Sequence, residues 1–262
     1  DRYRLFKKYC IQNTSWLDKQ PLSKINFNKK KEAILIEFRP LPHLYFILRN
    51  TLRVLGPSWS HTVVCGNKNY DFIMEVVKKI NRNIRVIRID KDNLTRMEYS
   101  LMLLTSDFYK QFSGNYLLIY QEDTIIFRNI PNQYFLYDFV GAPLPNNKNA
   151  FNGGFSLRNR NKMIKICQNY FDMKKDRFER ASIFLEEKIK YLNDNKINYK
   201  KDKEFIFLYK LEESLLEDLL LCEKCDSLPN FEMAKEFSVE KFYNKYPIGG
   251  HQFWYSLKDL VL

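Results

Sequence analysis

The sequence predicts an α/β fold, with a mixed and mainly parallel sheet flanked by helices in a single domain. Strand-like and helix-like segments alternate three times between residues 32 and 112, which is the pattern of parallel sheets with helices on both faces. The apolar run 116–120 then leads directly into Gln121, Glu122 and Asp123. A short apolar run bounded by polar residues is typical of a strand that is buried on both faces. The length of 262 residues allows one large domain with a sizeable core.

The alternating half contains three further predicted strands and three predicted helices. Short apolar runs predict the strands, and apolar residues at helical spacing predict the helices. Thr95 and Glu98 form a capping-box sequence, which predicts that the third helix begins there and runs to about Phe112. The predicted strands are 32–38, 61–65 and 84–89, and the predicted helices are 44–55, 70–80 and 95–112.

The second half has a less regular pattern. Its predicted segments are a strand and turn (137–143), a polar, asparagine-rich loop positioned to cover a site (144–150), a helix (161–171), a charged helical insertion (about 172–210) and a helix (211–222). For the domain organisation, we expect an N-terminal lead-in over residues 1–31 and one domain over residues 32–262.

The chain is basic, with 43 Lys and Arg against 31 Asp and Glu and a formal net charge of +12. Such a charge suits nucleic acid or an anionic small molecule as a partner. Because the lysines are scattered and no zinc-finger spacing or RNA-binding signature occurs, we favour solvated charged faces and predict no nucleic-acid partner. No apolar stretch reaches about 18 residues, so no transmembrane segment is predicted.

The five cysteines are odd in number and scattered, which argues against a disulfide framework. Cys222 and Cys225 form a lone CxxC pair, and no second pair completes a zinc site. Reduced thiols predict a reducing compartment and therefore a cytoplasmic location. The chain begins with Asp-Arg-Tyr-Arg instead of Met, which is compatible with a larger parent polypeptide.

Glu122 and Asp123 are the first candidates for chemistry. Ligands of open α/β sheets bind outside the carboxyl ends of the strands, and these two residues follow such an end. Adjacent carboxylates at that place are costly unless they meet a cation or a hydrogen-bond donor. Taken alone, the stretch has two interpretations of equal weight: a metal site that holds an anionic diphosphate, or a solvated turn.

Two glycine pairs and a late histidine are the other candidates. Gly153-Gly154 removes side chains where a ligand approaches the backbone, although a tight turn also explains such a pair. His251 follows Gly249-Gly250, and a surface histidine is the more frequent explanation for it alone. The order along the chain is what points to one shared site: carboxylates at a strand end, a glycine–aromatic turn, acidic residues on a helix and then a histidine.

Six motifs carry a family resemblance: Glu37-Phe-Arg-Pro-Leu-Pro-His43, Trp59-Ser-His-Thr-Val-Val-Cys-Gly-Asn67, Tyr120-Gln-Glu-Asp123, Phe139-Val-Gly-Ala-Pro143, Asn152-Gly-Gly-Phe-Ser-Leu-Arg158 and Gly250-His-Gln-Phe-Trp254. Together they resemble the nucleotide-sugar glycosyltransferases of the GT-A (Rossmann-like) fold. More narrowly, the chain resembles an uncharacterised glycosyltransferase-like family found in large DNA viruses and microbes. The match is best over about residues 32–160 and resumes in patches to 254.

The resemblance implies a role for each matched position. Asp123 is the direct metal ligand, and Gln121 stands where the usual pattern has its first aspartate. His251 matches the late histidine that completes the metal site. The remaining implied roles are donor binding by Glu122, contact with the donor sugar and acceptor by Asn152, Gly153 and Gly154, and a match of Leu216-Glu217-Asp218 to a Pro-Glu-Asp motif.

The resemblance therefore implies a metal-dependent glycosyltransferase, a hexosyltransferase in particular, that transfers a sugar from a nucleoside-diphosphate sugar to a hydroxyl of a glycan or protein. A Mn²⁺ or Mg²⁺ ion neutralises charge on the leaving diphosphate, a UDP-sugar is the expected donor, and viral glycosylation is the expected setting. An inverting transfer needs a carboxylate base, and Asp218 or Glu217 can serve, although helix solubility explains both equally well. Arg39 either pairs with the phosphate or uracil of the donor or forms a surface ion pair.

Two alternatives stay open. A nucleotidyltransferase shares the sheet and the carboxylate–metal chemistry, but it needs a glycine-rich phosphate loop after the first strand. This chain has Arg39-Pro-Leu-Pro-His43 there, without glycine. A nucleic-acid-binding or scaffold module is the second alternative, and salt-dependent binding of nucleic acid without nucleotide binding would favour it.

Overall fold

The structure is a computed structural model that describes residues 2–24, 30–81, 83–145, 147–172, 175–195 and 216–256. The strands are β1 (Lys31–Ile36), β2 (Ser60–Cys65), β3 (Arg85–Arg88), β4 (Tyr116–Tyr120), β5 (Thr124–Ile126), β6 (Phe139–Leu144), β7 (Asn147–Asn159), β8 (Ser238–Val239) and β9 (Gly249–His251). The helices are α1 (Arg2–Gln12), α2 (Thr14–Asp18), α3 (Leu44–Leu55), α4 (Tyr70–Ile80), α5 (Arg96–Leu103), α6 (Ser106–Lys110), α7 (Arg160–Ile166), α8 (Lys175–Asp194), α9 (Glu217–Glu223) and α10 (Phe231–Phe237).

A six-stranded sheet with the order β3-β2-β1-β4-β7-β6 forms the centre of the domain. Strands β1 to β4 are parallel to one another, whereas β7 runs antiparallel to both of its neighbours. The predicted architecture of a mixed, mainly parallel sheet flanked by helices in one domain is therefore confirmed. The helices predicted over 44–55 and 70–80 are α3 and α4 and have the predicted bounds.

The two faces of the sheet bury alternate residues of the same strands. Leu35 and Leu118 face a core that includes side chains from α1 to α4, whereas Ile34 and Ile119 face a second core with α5, α6 and α7. Side chains of successive strand residues point to opposite faces, so a strand covered on both faces is apolar at every position. That rule explains the continuous apolar run 116–120.

A small second sheet lies beside the carboxyl end of β4. Its strand order is β5-β9-β8, and its register pairs Thr124 with His251 across an antiparallel ladder. β8 runs parallel to β9. This ladder joins the residues that directly follow β4 to the last strand of the described chain.

Two predicted segments differ from the structure. The polar loop predicted over 144–150 is wrong, because β6 and β7 form a hairpin that pairs Leu144 with Asn147; strand pairing overrides a polar composition that by itself disfavours a strand. The single helix predicted over 95–112 is two helices, α5 and α6. Thr105 adopts an extended conformation and caps a new helix by accepting a hydrogen bond from the Phe108 N–H.

The structure describes part of the predicted N-terminal lead-in and part of the predicted helical insertion. In the lead-in over 1–31, α1 and α2 bury Phe6, Cys10 and Leu17 against the core. α8 accounts for the described part of the insertion, and residues 211–215 of the helix predicted over 211–222 lie outside the described residues. The domain boundaries themselves stay predictions. In the described part of the chain, no helix has the length and apolar character needed to cross a membrane.

The capping box at the start of α5 gives a prediction about stability. The Thr95 hydroxyl accepts from the Glu98 N–H (3.2 Å) and donates to Glu186 of α8 (2.6 Å). Thr95→Ala should lower the free energy of unfolding by about 1 kcal/mol, measured by urea denaturation. Thr95→Ser keeps the hydroxyl, so its free energy of unfolding should stay within about 0.5 kcal/mol of the wild-type value. Equal losses in both variants would show that the cap contributes nothing.

Candidate functional site

The candidate site forms where the turn after β4 meets strand β9. The Gln252 N–H donates to the Asp123 carbonyl (3.1 Å), and the Gln252 side chain donates to Asp123 Oδ2 (2.8 Å). Gln252 has a φ of 46°, in the left-handed region, which few residues other than glycine adopt. These contacts extend the β5–β9 ladder by one residue and fix the Asp123 carboxylate against the His251 ring.

Asp123, His251 and Gln121 place three ligand atoms together. His251 Nε2 lies 3.3 Å from Asp123 Oδ1 and 3.2 Å from Gln121 Oε1. Asp123 Oδ1 is buried and has no hydrogen bond of normal geometry from any described residue. Asp123 and His251 are only 7% and 4% exposed. A buried carboxylate oxygen that faces a ring nitrogen without a hydrogen bond is a position that a cation or a proton stabilises.

The surroundings of His251 and Asp123 favour the charged form of each side chain. Burial alone lowers the pKa of His251, but the carboxylates of Asp123 and Glu240 outweigh it and raise that pKa to about 10. Burial likewise pushes the pKa of Asp123 upward, but the attraction of the His251 charge and the hydrogen bond from Gln252 hold it below its usual range. Without a metal the ring is therefore protonated at neutral pH, and a proton fills the position between nitrogen and carboxylate.

A contact at the second ring nitrogen, Nδ1, sets the orientation of the His251 ring. Glu240, which is 6% exposed, lies with Oε2 3.5 Å from His251 Nδ1. A ligating histidine commonly gives its second ring N–H to a carboxylate, which leaves the other nitrogen available to a metal. Gly154 lies against the ring, since a Cβ at that position would come within 2.5 Å of His251 Nε2. The need for glycine at 154 is thus steric.

The residues fit a divalent cation that is completed by a ligand. Two ligands at right angles, each roughly 2.1 Å from one cation, lie about 3.0 Å apart, close to the distances of His251 Nε2 from Asp123 and from Gln121. No group of three or more His, Cys, Asp and Glu side chains suited to a metal occurs among the described residues, so the protein supplies one carboxylate, one amide oxygen and one imidazole here. Cations held by few carboxylates commonly take substrate phosphates as further ligands.

Glu122, although adjacent to Asp123, points to different partners. It accepts hydrogen bonds from Tyr3 of α1 (2.7 Å), Arg39 (3.1 Å) and the buried ring of His43 (2.6 Å). Both of its oxygens are engaged, and its side chain is only 7% exposed. Glu122 therefore connects α1 and the loop after β1 to the turn that carries Asp123. Arg39 is half exposed and makes two hydrogen bonds to Glu37.

Glu217 and Asp218, the predicted acidic pair on α9, also have different partners, as Glu122 and Asp123 do. Glu217 forms an ion pair with Arg158, which is fully buried, at 3.0 Å. Asp218 accepts from the Gly153 N–H (3.1 Å) and from the Leu219 N–H (2.9 Å). Burial, reinforced by the neighbouring charge of Glu217, raises the pKa of Asp218 to about 7. Asp218 is thus a buried carboxyl group that exchanges its proton near neutral pH.

Two cavities meet at Gln121. The larger, of about 720 Å³, includes Arg39, Glu122 and Asp123 in its walls. The smaller, of about 360 Å³, brings together the other predicted site residues and Glu240: Asn152, Gly153, Gly154, Glu217, Asp218, Glu240 and His251. Asp123 and His251 face each other across the boundary, so a cation between them is close to both cavities.

Arg158 and Glu240 are functional candidates that the sequence did not reveal. Arg158 belongs to a quoted motif, but its charge gives no sign that it is buried beneath Gly153 and paired with Glu217. Glu240 lies in a segment without a recognisable pattern. Its position directly after a short strand that pairs with the histidine-bearing strand is the only signal available, and it requires the β8–β9 pairing to be known.

Comparisons with known proteins identify a family and a distant structural likeness. A family model described as "Protein of unknown function (DUF5672)" matches residues 83–251. No curated protein matches the chain. The solved structure of the mannosyltransferase PcManGT from Pyrobaculum calidifontis in complex with GDP-Man and Mn²⁺ is similar with a TM-score of 0.38 and 9% identity, over 62% of this chain and 53% of that chain. The chain thus spans about half the length of that structure, and a likeness at this level carries no argument about function.

The contacts of Glu122 give a prediction about stability. Glu122→Gln removes a buried charge that faces His43 and Arg39, and it should lower the free energy of unfolding by about 2 kcal/mol. Glu223→Gln is the matched control, because Glu223 is exposed and, among the described residues, pairs with the neighbouring Lys224. Its effect should stay within about 0.5 kcal/mol. Urea denaturation of both variants measures the difference, and a Glu122→Gln loss no larger than that of the control would contradict the anchoring role.

Proposed function

The chain belongs to the family described as Protein of unknown function (DUF5672), and we propose that it is a metal-dependent glycosyltransferase that uses a nucleoside-diphosphate sugar. The observation that carries the proposal is the buried contact of His251 Nε2 with Asp123 Oδ1 and Gln121 Oε1 at the boundary of two cavities. An amide oxygen, a carboxylate and an imidazole suit Mn²⁺, and Mg²⁺ less well because of the imidazole. When bound, the ion neutralises the charge on a leaving diphosphate.

The larger cavity suits the nucleoside diphosphate. Its wall combines the guanidinium groups of Arg2 and Arg39 with the rings of Tyr3 and Trp254. Guanidinium groups bind phosphate oxygens, and aromatic rings stack on bases. Glu122 acts here indirectly, because it holds Arg39 and Tyr3 instead of contacting the donor. We expect a UDP-sugar as donor, with Arg39 near the phosphates or the base.

The smaller cavity suits the transferred sugar and the acceptor hydroxyl. Its wall includes the side chains of Asn152, Asp218 and Glu240 and the backbone of Gly153 and Gly154, and polar groups of this kind recognise a neutral polyhydroxyl ligand. Any Cβ at Gly153 would come within 2.6 Å of Glu217 Oε1. The glycine therefore leaves room for the Glu217–Arg158 pair against the backbone that lines the cavity.

Asp218 is the base in the proposed reaction. In an inverting transfer it takes the proton of the acceptor hydroxyl while the acceptor oxygen forms a bond to the anomeric carbon. The bond between that carbon and the diphosphate breaks, and its electron pair leaves with the diphosphate. Glu217 does not serve as a second base in this scheme, because its carboxylate is engaged in an ion pair with buried Arg158; its charge instead helps to raise the pKa of Asp218.

Metal-dependent nucleotide binding is the first test of this function. In the presence of Mn²⁺, UDP or GDP at 100-fold excess over its dissociation constant should stabilise the fold by about 2.7 kcal/mol, visible as a rise in melting temperature. The rise should vanish in EDTA and in Asp123→Asn. Asp107→Asn is the control, since Asp107 is exposed and its ion pair within the described part of the chain is with Lys110, and it should behave as wild type. A nucleotide shift of equal size in EDTA would count against a metal bridge.

The pH dependence of turnover tests the base. Because Asp218 must be deprotonated to accept a proton and burial raises its pKa to about 7, kcat/KM should be constant above that pH and fall about tenfold per unit below it. Asp218→Asn should abolish turnover, whereas Glu223→Gln on the same helix should leave the profile unchanged. Acceptor-dependent release of nucleoside diphosphate between about pH 5 and 9 measures this. A profile that stays flat down to about pH 5 would show that no such carboxyl group takes part.

A further inference from the structure

The first turn of α5 lies where the two cavities meet. Arg96 and Tyr99 are three residues apart, so they share one face of the helix, and both line both cavities. Thr95 and Glu98 cap this turn through reciprocal hydrogen bonds. The Glu98 carboxylate is engaged with the Thr95 N–H and Lys91. The turn therefore presents one cationic and one phenolic side chain to the junction and is held rigidly by its cap.

Arg96 supplies positive charge at this place. Its side chain is exposed, and it is the first residue of the helix, where the helix dipole also favours an anion. The smaller cavity includes the carboxyl groups of Glu217, Asp218 and Glu240 in its wall. Arg96 thus brings a positive charge to a junction that has carboxyl groups in its wall, and this charge favours an anionic group there.

Tyr99 supplies a hydrogen-bond donor at the same junction. Its hydroxyl oxygen is buried and has no hydrogen-bond partner of normal geometry among the described residues, although Gln121 lies close to it. Burial, reinforced by Glu217, raises the pKa of Tyr99, so the phenol keeps its proton at neutral pH. A buried hydroxyl without a partner destabilises the fold, and a ligand that accepts its hydrogen bond removes that cost.

We propose that Arg96 and Tyr99 form the leaving-group site, in which they bind oxygens of the departing diphosphate. The inference rests on the proposed glycosyl transfer. As the bond from the anomeric carbon to the diphosphate oxygen breaks, the electron pair passes to that oxygen, and the acceptor proton passes to Asp218. Negative charge then grows on the diphosphate next to the first turn of α5. Donors aimed at a growing charge accelerate the step because they bind the transition state more tightly than the ground state.

Two substitutions with matched controls test the site. Tyr99→Phe removes only the hydroxyl, and Tyr120→Phe is its control, because Tyr120 also has a buried hydroxyl without a hydrogen-bond partner in the described chain but lines neither cavity. Arg96→Gln removes the charge, and Arg85→Gln is its control, because Arg85 is exposed and lies outside both cavities. The measurements are titration with UDP and GDP in the presence of Mn²⁺ and release of nucleoside diphosphate from a panel of UDP- and GDP-sugars.

The expected outcome is a loss of both turnover and product binding. Tyr99→Phe should lower kcat by roughly 10²-fold and weaken nucleoside-diphosphate binding, because the free diphosphate carries the charge that the hydroxyl contacts, and Arg96→Gln should lower both kcat and that affinity by about tenfold or more. Both controls should match wild type. If wild type turns over a nucleotide sugar but Tyr99→Phe and Arg96→Gln stay within twofold of it, the leaving-group site is wrong and the proposed function stands. If wild type binds neither nucleotide with Mn²⁺, the proposed function fails and this inference fails with it.

Discussion

The short antiparallel ladder between β5 and β9 is the constraint on which the candidate site depends. It pairs Thr124 with His251, and the Gln252 N–H continues it to the carbonyl of Asp123. Backbone pairing leaves little freedom in register, because a shift of one residue turns every side chain to the other face. The ladder therefore fixes a carboxylate and an imidazole that are far apart in sequence within 3.3 Å of each other, and the two cavities open on either side of that contact.

Two pairs of adjacent acidic residues are divided in the same way. In each pair one carboxylate is paired with a guanidinium group, Glu122 with half-exposed Arg39 and Glu217 with buried Arg158, and Glu122 also has a hydrogen bond to His43. The other carboxylate is held by hydrogen bonds: Asp123 Oδ2 accepts from Gln252, and Asp218 accepts from the N–H groups of Gly153 and Leu219. The first member connects separate elements to the site, and the second is left for chemistry. Buried carboxylates are tolerated only when such partners are present, so the neutralised member makes the arrangement of the second possible.

Patterns within short stretches of sequence predicted several helices and strands correctly. The features that were missed depend on contacts between segments that are far apart in the sequence. The helical spacing over 44–55, the apolar run 116–120 and the Thr95–Glu98 cap all predicted elements that exist. The strand that begins at Asn147 was missed because its pairing with β6 is a tertiary effect that its composition hides. Motif order placed Asp123 and His251 in one site, but no pattern in the sequence shows that Glu122 turns toward His43 or that Arg158 is buried beside Glu217.

The central claim is that Asp123, Gln121 and His251 hold a divalent cation together with a diphosphate. A crystal of the protein grown with Mn²⁺ and UDP or GDP, with diffraction data collected at a wavelength where manganese scatters anomalously, tests it most directly. The account predicts one anomalous peak about 2.0–2.3 Å from Asp123 Oδ1 and His251 Nε2, with diphosphate oxygens completing the coordination. A structure with bound nucleotide but no anomalous peak at this position would contradict it. A peak beside other side chains, with no metal between His251 and Asp123, would also contradict it.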